Sequence, residues 1–350
     1  MLEIFFISLY NTLMNKYAKK LITAATCNVC PRMCNASRTT TLGFCKSPKN
    51  AMISKIMIHN WEEPILTNIF DDEPATTCKN STANTTTCNI STANNFTQTA
   101  DFQDANKNEK RGCGAIFFAS CNLRCIYCQN YKISQLPTCA VSYTPHELAQ
   151  VFRDLEAQNV ACIDLVTPTH FAPEIIKALE IYKPKIPIVY NTSGYENAET
   201  IRALKGFVDI FLFDFKYFSN ATAKEYSKAA DYPEKCKIAL LEAKKWLKND
   251  VFDGKLLKSG IIIRHLLLPK NSEDGVQILK WIEKNLGKKT YVSLLNQYTP
   301  EGEATTHPVL KNRPTALEYK RLVNMAISLD MPNVFIQDAA SASAAFIPDF

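Results

Sequence analysis

The sequence predicts an α/β fold in which six parallel strands alternate with helices, preceded by a cysteine-rich appendage. Three observations carry this. Beyond Arg111, apolar runs of strand length recur between amphipathic stretches of helical period. Cysteines fall into two tight groups, one ahead of that alternation and one at its first turn. Between the groups, an Asn/Thr-rich tract has neither periodicity and little to bury. At 350 residues and 46% apolar content, the chain can bury a large core.

The first segment, 1–26, holds a short apolar run with Glu3 near its start and lysines after it, the reverse of a signal peptide. It is shorter than the ~20 apolar residues a bilayer span needs, and it predicts an amphipathic helix docked on the body. Segment 27–69 carries Cys27, Cys30, Cys34 and Cys45 in CNVCPRMCNASRTTTLGFC. Four thiolates at this spacing suit a closed site, either structural zinc or a second iron-sulfur cluster, and we lean to zinc. Its end, Trp61-Glu62-Glu63-Pro64, would cover the mouth of the main domain or tie the appendage to it. Segment 70–111 reads as a disordered insertion that loops out; Cys78 and Cys88 within it and Cys113 just after it are read as bystanders.

Segment 112–350 supplies the six units. Strands are expected near Ala115–Ala119, Cys162–Thr167, Ile188–Asn191, Asp209–Phe215, Ile261–Leu268 and Thr290–Leu295. The helices between them include HELAQVFRDLEAQ after Pro145, PEIIKALEIY, KCKIALLEAKKWLK and ALEYKRLVNMAIS. Six units fall short of an eight-stranded barrel.

The most informative feature is Cys121, Cys125 and Cys128 in IFFASCNLRCIYCQNY, spaced C-x3-C-x2-C behind the first strand. A cubane cluster ordinarily takes four thiolates, so three from one loop leave one iron open to a ligand that is not protein. A zinc fragment is the plainer reading, but structural zinc sites pair C-x2-C knuckles. The loop resembles the radical S-adenosylmethionine (radical SAM) superfamily, including the aromatic Tyr127 before the last cysteine. With WEEP, DLVTPTHF, VYNTSGYE, DIFLFDFKY, IIIRHLLLP and LLNQY, the chain resembles more narrowly an uncharacterised group named after the pyruvate formate-lyase activating enzyme.

That resemblance implies a partial (β/α)6 TIM-type barrel, the radical SAM core, in agreement with the strand count. It also implies a 4Fe-4S cluster on Cys121, Cys125 and Cys128, with S-adenosylmethionine (SAM) on the open iron. Reductive cleavage would give methionine and a 5'-deoxyadenosyl radical, by an oxidoreductase similar to glycyl-radical-enzyme activases. Candidate SAM contacts lie at the carboxyl ends of later strands, where barrel ligands gather. Thr167, Pro168, Thr169 and His170 stand where many relatives have Gly-Gly-Glu, and His170 is a hydrogen-bonding group or a helix start. Asn191, Thr192, Ser193 and Gly194 resemble an Asp-Thr-Asn-Gly segment with the acid replaced. Asp214 and Lys216 match an Asp-x-Lys pair. Arg264, inside a very apolar strand, should face the interior and an anion such as the SAM or a substrate carboxylate. His265 would then point outward to a helix, with Gln297 and Tyr298 on the substrate side.

A net charge of +6 without a basic stripe argues against nucleic acid as a partner. Thirteen cysteines, an odd number grouped at ligand spacing, point to a reducing, cytoplasmic compartment rather than a disulfide framework. The seven N-x-S/T sequons are then by-products of composition, not glycosylation sites. Partners implied are a reductant such as flavodoxin or ferredoxin and a glycyl radical enzyme as substrate, with no membrane span. Two other readings stand beside this one: radical modification of another protein or small molecule, and a noncatalytic iron-sulfur electron-transfer protein.

Overall fold

The computed structural model describes residues 16–60, 62–67, 112–135 and 139–337. Its strands are β1 (Ala51–His59), β2 (Cys113–Phe118), β3 (Val141–Tyr143), β4 (Ile163–Val166), β5 (Ile188–Thr192), β6 (Ile210–Asp214), β7 (Val251–Asp253), β8 (Leu256–Leu266), β9 (Tyr291–Leu295) and β10 (Val334–Ile336). They form one sheet in the order β10-β9-β8-β6-β5-β4-β2-β1-β3, with β7 paired to β8. From β10 to β2 every neighbour is parallel, while β1 is antiparallel to both β2 and β3.

This is the mixed α/β sheet of an incomplete barrel, as the alternating runs predicted. All six expected strands are present. Three strands in antiparallel pairs, β1, β3 and β7, and the short β10 were not anticipated. β1 belongs to the segment grouped with the cysteine-rich appendage, yet it lies in the main sheet, with Ile53 opposite Phe118 and His59 opposite Cys113. The chain therefore leaves the sheet and returns to it at register partners. The insertion expected at 70–111 in between, with Cys78 and Cys88, lies outside the described residues, as does Trp61.

Helices cover the outer face because their sequences are amphipathic and well capped. Pro145–Ala157 begins with Thr144 in a reciprocal capping box with Glu147 and buries Leu148, Ala149, Phe152 and Leu155. Ala316–Ser328 repeats the device with Thr315 and Glu318. Strand alternation divides the side chains. Ile116, Phe118, Ile163, Leu165, Tyr190, Phe211 and Phe213 point to the helices and join the large outer core. Cys113, Cys162, Val189, Ile210, Leu212 and Ile262 point inward and pack on Ile65 and Leu66. Pro64–Thr67 thus plugs the amino end of the barrel rather than covering its mouth. Cys113, expected to be a bystander, lies in this floor, with its sulfur 2.9 Å from that of Cys162. Residues 16–22 are helical; Ala18 is fully buried, and Leu21 and Ile22 rest on the core. Among the described residues no helix is long and apolar enough to cross a membrane.

Candidate functional site

The loop from Ala119 to Asn130 follows β2 directly, so its cysteines lie at the carboxyl end of the parallel strands. Ser120 (φ 72°) and Arg124 (φ 53°) adopt left-handed backbone, which folds the loop back on itself. Each cysteine sulfur meets a donor. The Leu123 amide donates to Cys121 Sγ at 3.3 Å, the Ser227 hydroxyl to Cys125 Sγ at 3.0 Å, and Cys128 Sγ lies 3.2 Å from the Ser134 hydroxyl. The Asn130 amide also serves Cys128. Burial pushes the thiols up, Cys121 to about 12 and Cys128 to about 11, with the neighbouring Cys125 as second cause. Thiols so placed hold their protons until a metal displaces them, and donors aimed at sulfur stabilise the thiolate afterwards. In donor set and setting, the loop fits an iron-sulfur cluster.

Lys216 stands next to this loop. Its ammonium is 2.6 Å from Asp214 Oδ2, and its charge acts on Cys128 while that of Cys125 acts on it. Burial would depress the amine, but Asp214 and then Cys125 outweigh it and raise its pKa. Asp214 in turn is held below the ordinary carboxylate range: burial pushes it up, and the Arg264 and Lys216 charges more than reverse that.

Arg264 faces the barrel interior, and its anions are the protein's own. Its guanidinium donates to Asp214 Oδ1 at 2.9 Å and Asn191 Oδ1 at 2.5 Å, and pairs with Glu62 at 3.5 Å. The Asn191 amide donates to Asp164 Oδ2 at 3.1 Å, and Ser293 donates to the buried Glu63. Burial raises both Asp164 and Glu63 and favours their neutral forms. Asn191, Asp214 and Arg264 therefore meet as a polar layer inside the barrel, and each of the three guanidinium nitrogens already has a protein partner.

At the second and third strand ends, Thr169 and Thr192 both donate to Oε1 of buried Glu196, each at 2.5 Å. Thr167 lies at φ 59°, an uncommon conformation for a β-branched residue, with its amide bonded to Asn191 O. His170 sits in a short 3-10 turn, buried, with Nε2 2.7 Å from Ala119 O. His265 is buried on the outer face, with Nδ1 2.8 Å from Phe215 O, and packs against Gly275 of the Ser272–Leu286 helix. Gln297 O accepts from Gln129 in the cysteine loop at 3.0 Å. Tyr298 donates to Leu310 O, and its ring lies 6.2 Å from that of Tyr127.

The amino-terminal cysteines sit directly against this region. Cys27, Cys30, Cys34 and Cys45 line one cavity together with Asn122 and His170. Among the described residues no three Cys, His, Asp or Glu side chains converge tightly enough to grip a single ion.

Sequence reading did not single out Asp164, Glu196, Ser227 or Arg32, and it gave Glu62 and Glu63 a place at the mouth or in the tie to the appendage rather than against Arg264 and Ser293. Asp164 had a visible signal, an acid at an inward position of an otherwise apolar strand. Glu196 and Ser227 had none, because their roles depend on contacts distant in sequence.

Residues 115–282 match the model of the Radical SAM superfamily. The chain is 26% identical over 318 residues to uncharacterized protein MJ0674 of Methanocaldococcus jannaschii, covering 88% of this chain and 76% of that protein. It is 26% identical over 233 residues to uncharacterized protein MJ0808 of the same organism, covering 63% of this chain and 62% of that one. Similar solved structures are methylornithine synthase PylB (TM-score 0.40, 13% identity, 62% and 68% of the two chains) and HydG, a maturase of FeFe hydrogenase (0.44, 12%, 65% and 52%). The C-x3-C-x2-C loop, at the head of an incomplete parallel barrel, lies inside the span that matches the Radical SAM superfamily.

Proposed function

We propose that this chain is a radical SAM enzyme that acts as the glycyl-radical-enzyme activases do, drawing hydrogen from a glycyl residue of a partner protein. The observation that carries the reading is the placement of Lys216, held by Asp214, beside Cys125 and Cys128. It sits with the Asn-Thr-Ser-Gly segment at the neighbouring strand end, and these are the motifs that resemble the activating enzymes.

Cys121, Cys125 and Cys128 would hold a 4Fe-4S cluster, which when bound supplies the electron that cleaves SAM to methionine and a 5'-deoxyadenosyl radical. The chain's own residues do the rest. Lys216 presents a compact cation within reach of a methionine carboxylate, and Asp214 fixes its direction. Gly194, at φ 82°, brings the third-strand loop so close to Asp214 O that an added Cβ would lie 2.4 Å away. Tyr232 locks the same two strand ends, its hydroxyl 2.9 Å from Ser193 O and 2.6 Å from Asp214 O. Tyr127, Tyr217 and Tyr226 pack edge to face behind the loop and keep water from that side.

Anaerobic reconstitution followed by dithionite and SAM should yield 5'-deoxyadenosine, and Cys125→Ala should abolish it. Addition of a glycyl radical enzyme should then give a glycyl doublet by electron paramagnetic resonance (EPR). Product formation without that doublet, together with SAM consumption driven by a metabolite, would replace the activase reading with radical chemistry on a small molecule.

A further inference from the structure

We propose that the cavity under the amino-terminal segment is a second metal centre, held by Cys27, Cys30, Cys34 and Cys45 with His170 beside it. We further propose that Arg32 couples this centre to the radical-forming loop. The ligand is a thiophilic metal, as a zinc ion or an iron-sulfur cluster. The first statement stands on the cavity alone; the second also rests on the radical SAM reading of the Cys121 loop.

The segment is folded for thiolates although it contains almost no regular structure. Met33, Asn35 and Arg38 all have positive φ, so the chain reverses repeatedly around the cavity. Backbone amides point at the sulfurs: Val29 at Cys27, Arg32 at Cys30, and Phe44 at Cys34 at 3.3 Å. The radical loop treats Cys121 the same way. Gly43 lets the last turn approach Cys34, for a Cβ there would lie 2.9 Å from Cys34 Sγ. Arg32 and Arg38 line the cavity and offset the charge that thiolates would bring, with two buried acids nearby, Glu174 paired to Arg38 at 3.8 Å and Glu196 acting on Cys30.

His170 is the independent pointer. It is 1% exposed and lines the same space. Nε2 faces a carbonyl acceptor, Ala119 O, so it carries the hydrogen and Nδ1 is left with a bare lone pair. That Nδ1 is buried and has no hydrogen-bond partner. A bare imidazole nitrogen in a space lined by four thiols is a donor waiting for a metal or a metal-bound group. The four sulfurs surround the space without converging on one point. They close by side-chain rotation when metal replaces their protons.

The coupling follows from Arg32, which lies between Cys30 and Cys34. Nε donates to Asn122 O at 2.9 Å, NH2 to Ser227 O at 2.9 Å and NH1 to Lys228 O at 2.5 Å, while the guanidinium stacks on Phe44 at 3.8 Å. Asn122 follows Cys121, and the Ser227 hydroxyl donates to Cys125. One planar fork thus fixes two supports of the radical loop from a segment whose own shape would be set by metal.

The test uses the full chain, purified anaerobically. A Cys121/Cys125/Cys128→Ala variant should retain about one zinc, or iron with matching sulfide, per chain by elemental analysis. Adding Cys30→Ala and Cys34→Ala should remove it. Zinc identifies one member of the class and iron with sulfide the other; a triple variant with neither metal overturns the centre. His170→Phe should speed metal loss to a chelator by about tenfold or more, and an unchanged rate removes His170 from it. Arg32→Lys should leave the second centre's metal content intact while altering the EPR signal of the reduced Cys121 cluster and cutting 5'-deoxyadenosine formation by about tenfold. An Arg32→Lys protein with wild-type signal and yield overturns the coupling without touching the metal site.

Discussion

Glu196 offers a quantitative test of the strand-end network, because its carboxyl is buried to 1% exposure with no cation in contact. Oε1 accepts from both Thr169 and Thr192, and the Tyr190 hydroxyl stands by the same carboxyl and acts on it, outside ideal hydrogen-bond geometry. Burial pushes the acid from 4.5 to about 7 against the three hydroxyls, which favour ionisation. The sign follows from linkage. Between those two values the unfolded chain ionises while the folded one keeps its proton, so this group's contribution to stability falls as pH rises from about 4.5 to about 7. At ~1.4 kcal/mol per unit, the loss is about 3 kcal/mol. Glu196→Gln keeps the acceptor for both threonines and a donor for Tyr190 but cannot ionise. Anaerobic urea unfolding of wild type and variant, followed by circular dichroism between pH 5 and pH 8, isolates the term because other titrations cancel in the difference. The variant should gain about 2–3 kcal/mol on the wild type between pH 5 and pH 8. Parallel stability curves would refute the claim that this acid is folded in its neutral form.

Other perturbations reach the remaining parts of the site. Arg264→Met leaves Glu62 without its cation inside the barrel, while Asp214 keeps Lys216, and should cost about 3–5 kcal/mol in urea unfolding, whereas a loss under ~1 kcal/mol would mean that Glu62 is hydrated. Lys216→Met leaves Asp214 its Arg264 partner and should weaken SAM binding by about tenfold, ~1.4 kcal/mol, in calorimetry on the reconstituted protein; unchanged affinity would place the carboxylate elsewhere. Gly194→Ala meets both a positive φ and a 2.4 Å approach to Asp214 O, so it should lower the melting temperature by several degrees and SAM affinity with it. Thr315→Ala removes a reciprocal cap far from the site and should cost about 1 kcal/mol with SAM cleavage unchanged.

The parallel strands were legible because burial on both faces leaves a plain mark, as in IFLFD and GIIIRHL, and the helices because their apolar residues recur at helical spacing. β1 was harder. AMISKIMIH alternates, but nothing local says that a segment beside a cysteine cluster pairs antiparallel with β2 across a long insertion. β10 has only three residues and takes its register from β9. The cysteine loop was readable because its signal is local in sequence, with three cysteines in eight residues. The acids and cations around it were readable one by one, and their partners were not. Arg264 announced an interior charge, but that its anions are Asp214 and Glu62 depends on how a turn from another segment enters the barrel.

That turn explains why the barrel tolerates a polar interior. Ile65 and Leu66 fill the floor left by Cys113, Cys162, Val189 and Ile210, and this carries Glu62 and Glu63 up to the level of Arg264, Asp164 and Ser293. Two cations, Arg264 and Lys216, then face the carboxylates of Asp214 and Glu62, while burial keeps Asp164 and Glu63 towards their neutral forms. The layer is close to charge-neutral before any ligand arrives. A cation in that balance can turn to an incoming carboxylate only if its protein partner keeps another. Lys216 meets this condition, since Asp214 retains Arg264 when Lys216 swings away. Arg264 does not, since its departure would leave Glu62 and Asn191 without their shared donor. Under the proposed function, ligand contact falls to the lysine and the fixed scaffold to the arginine, a division of labour that the separate effects of Lys216→Met and Arg264→Met should expose.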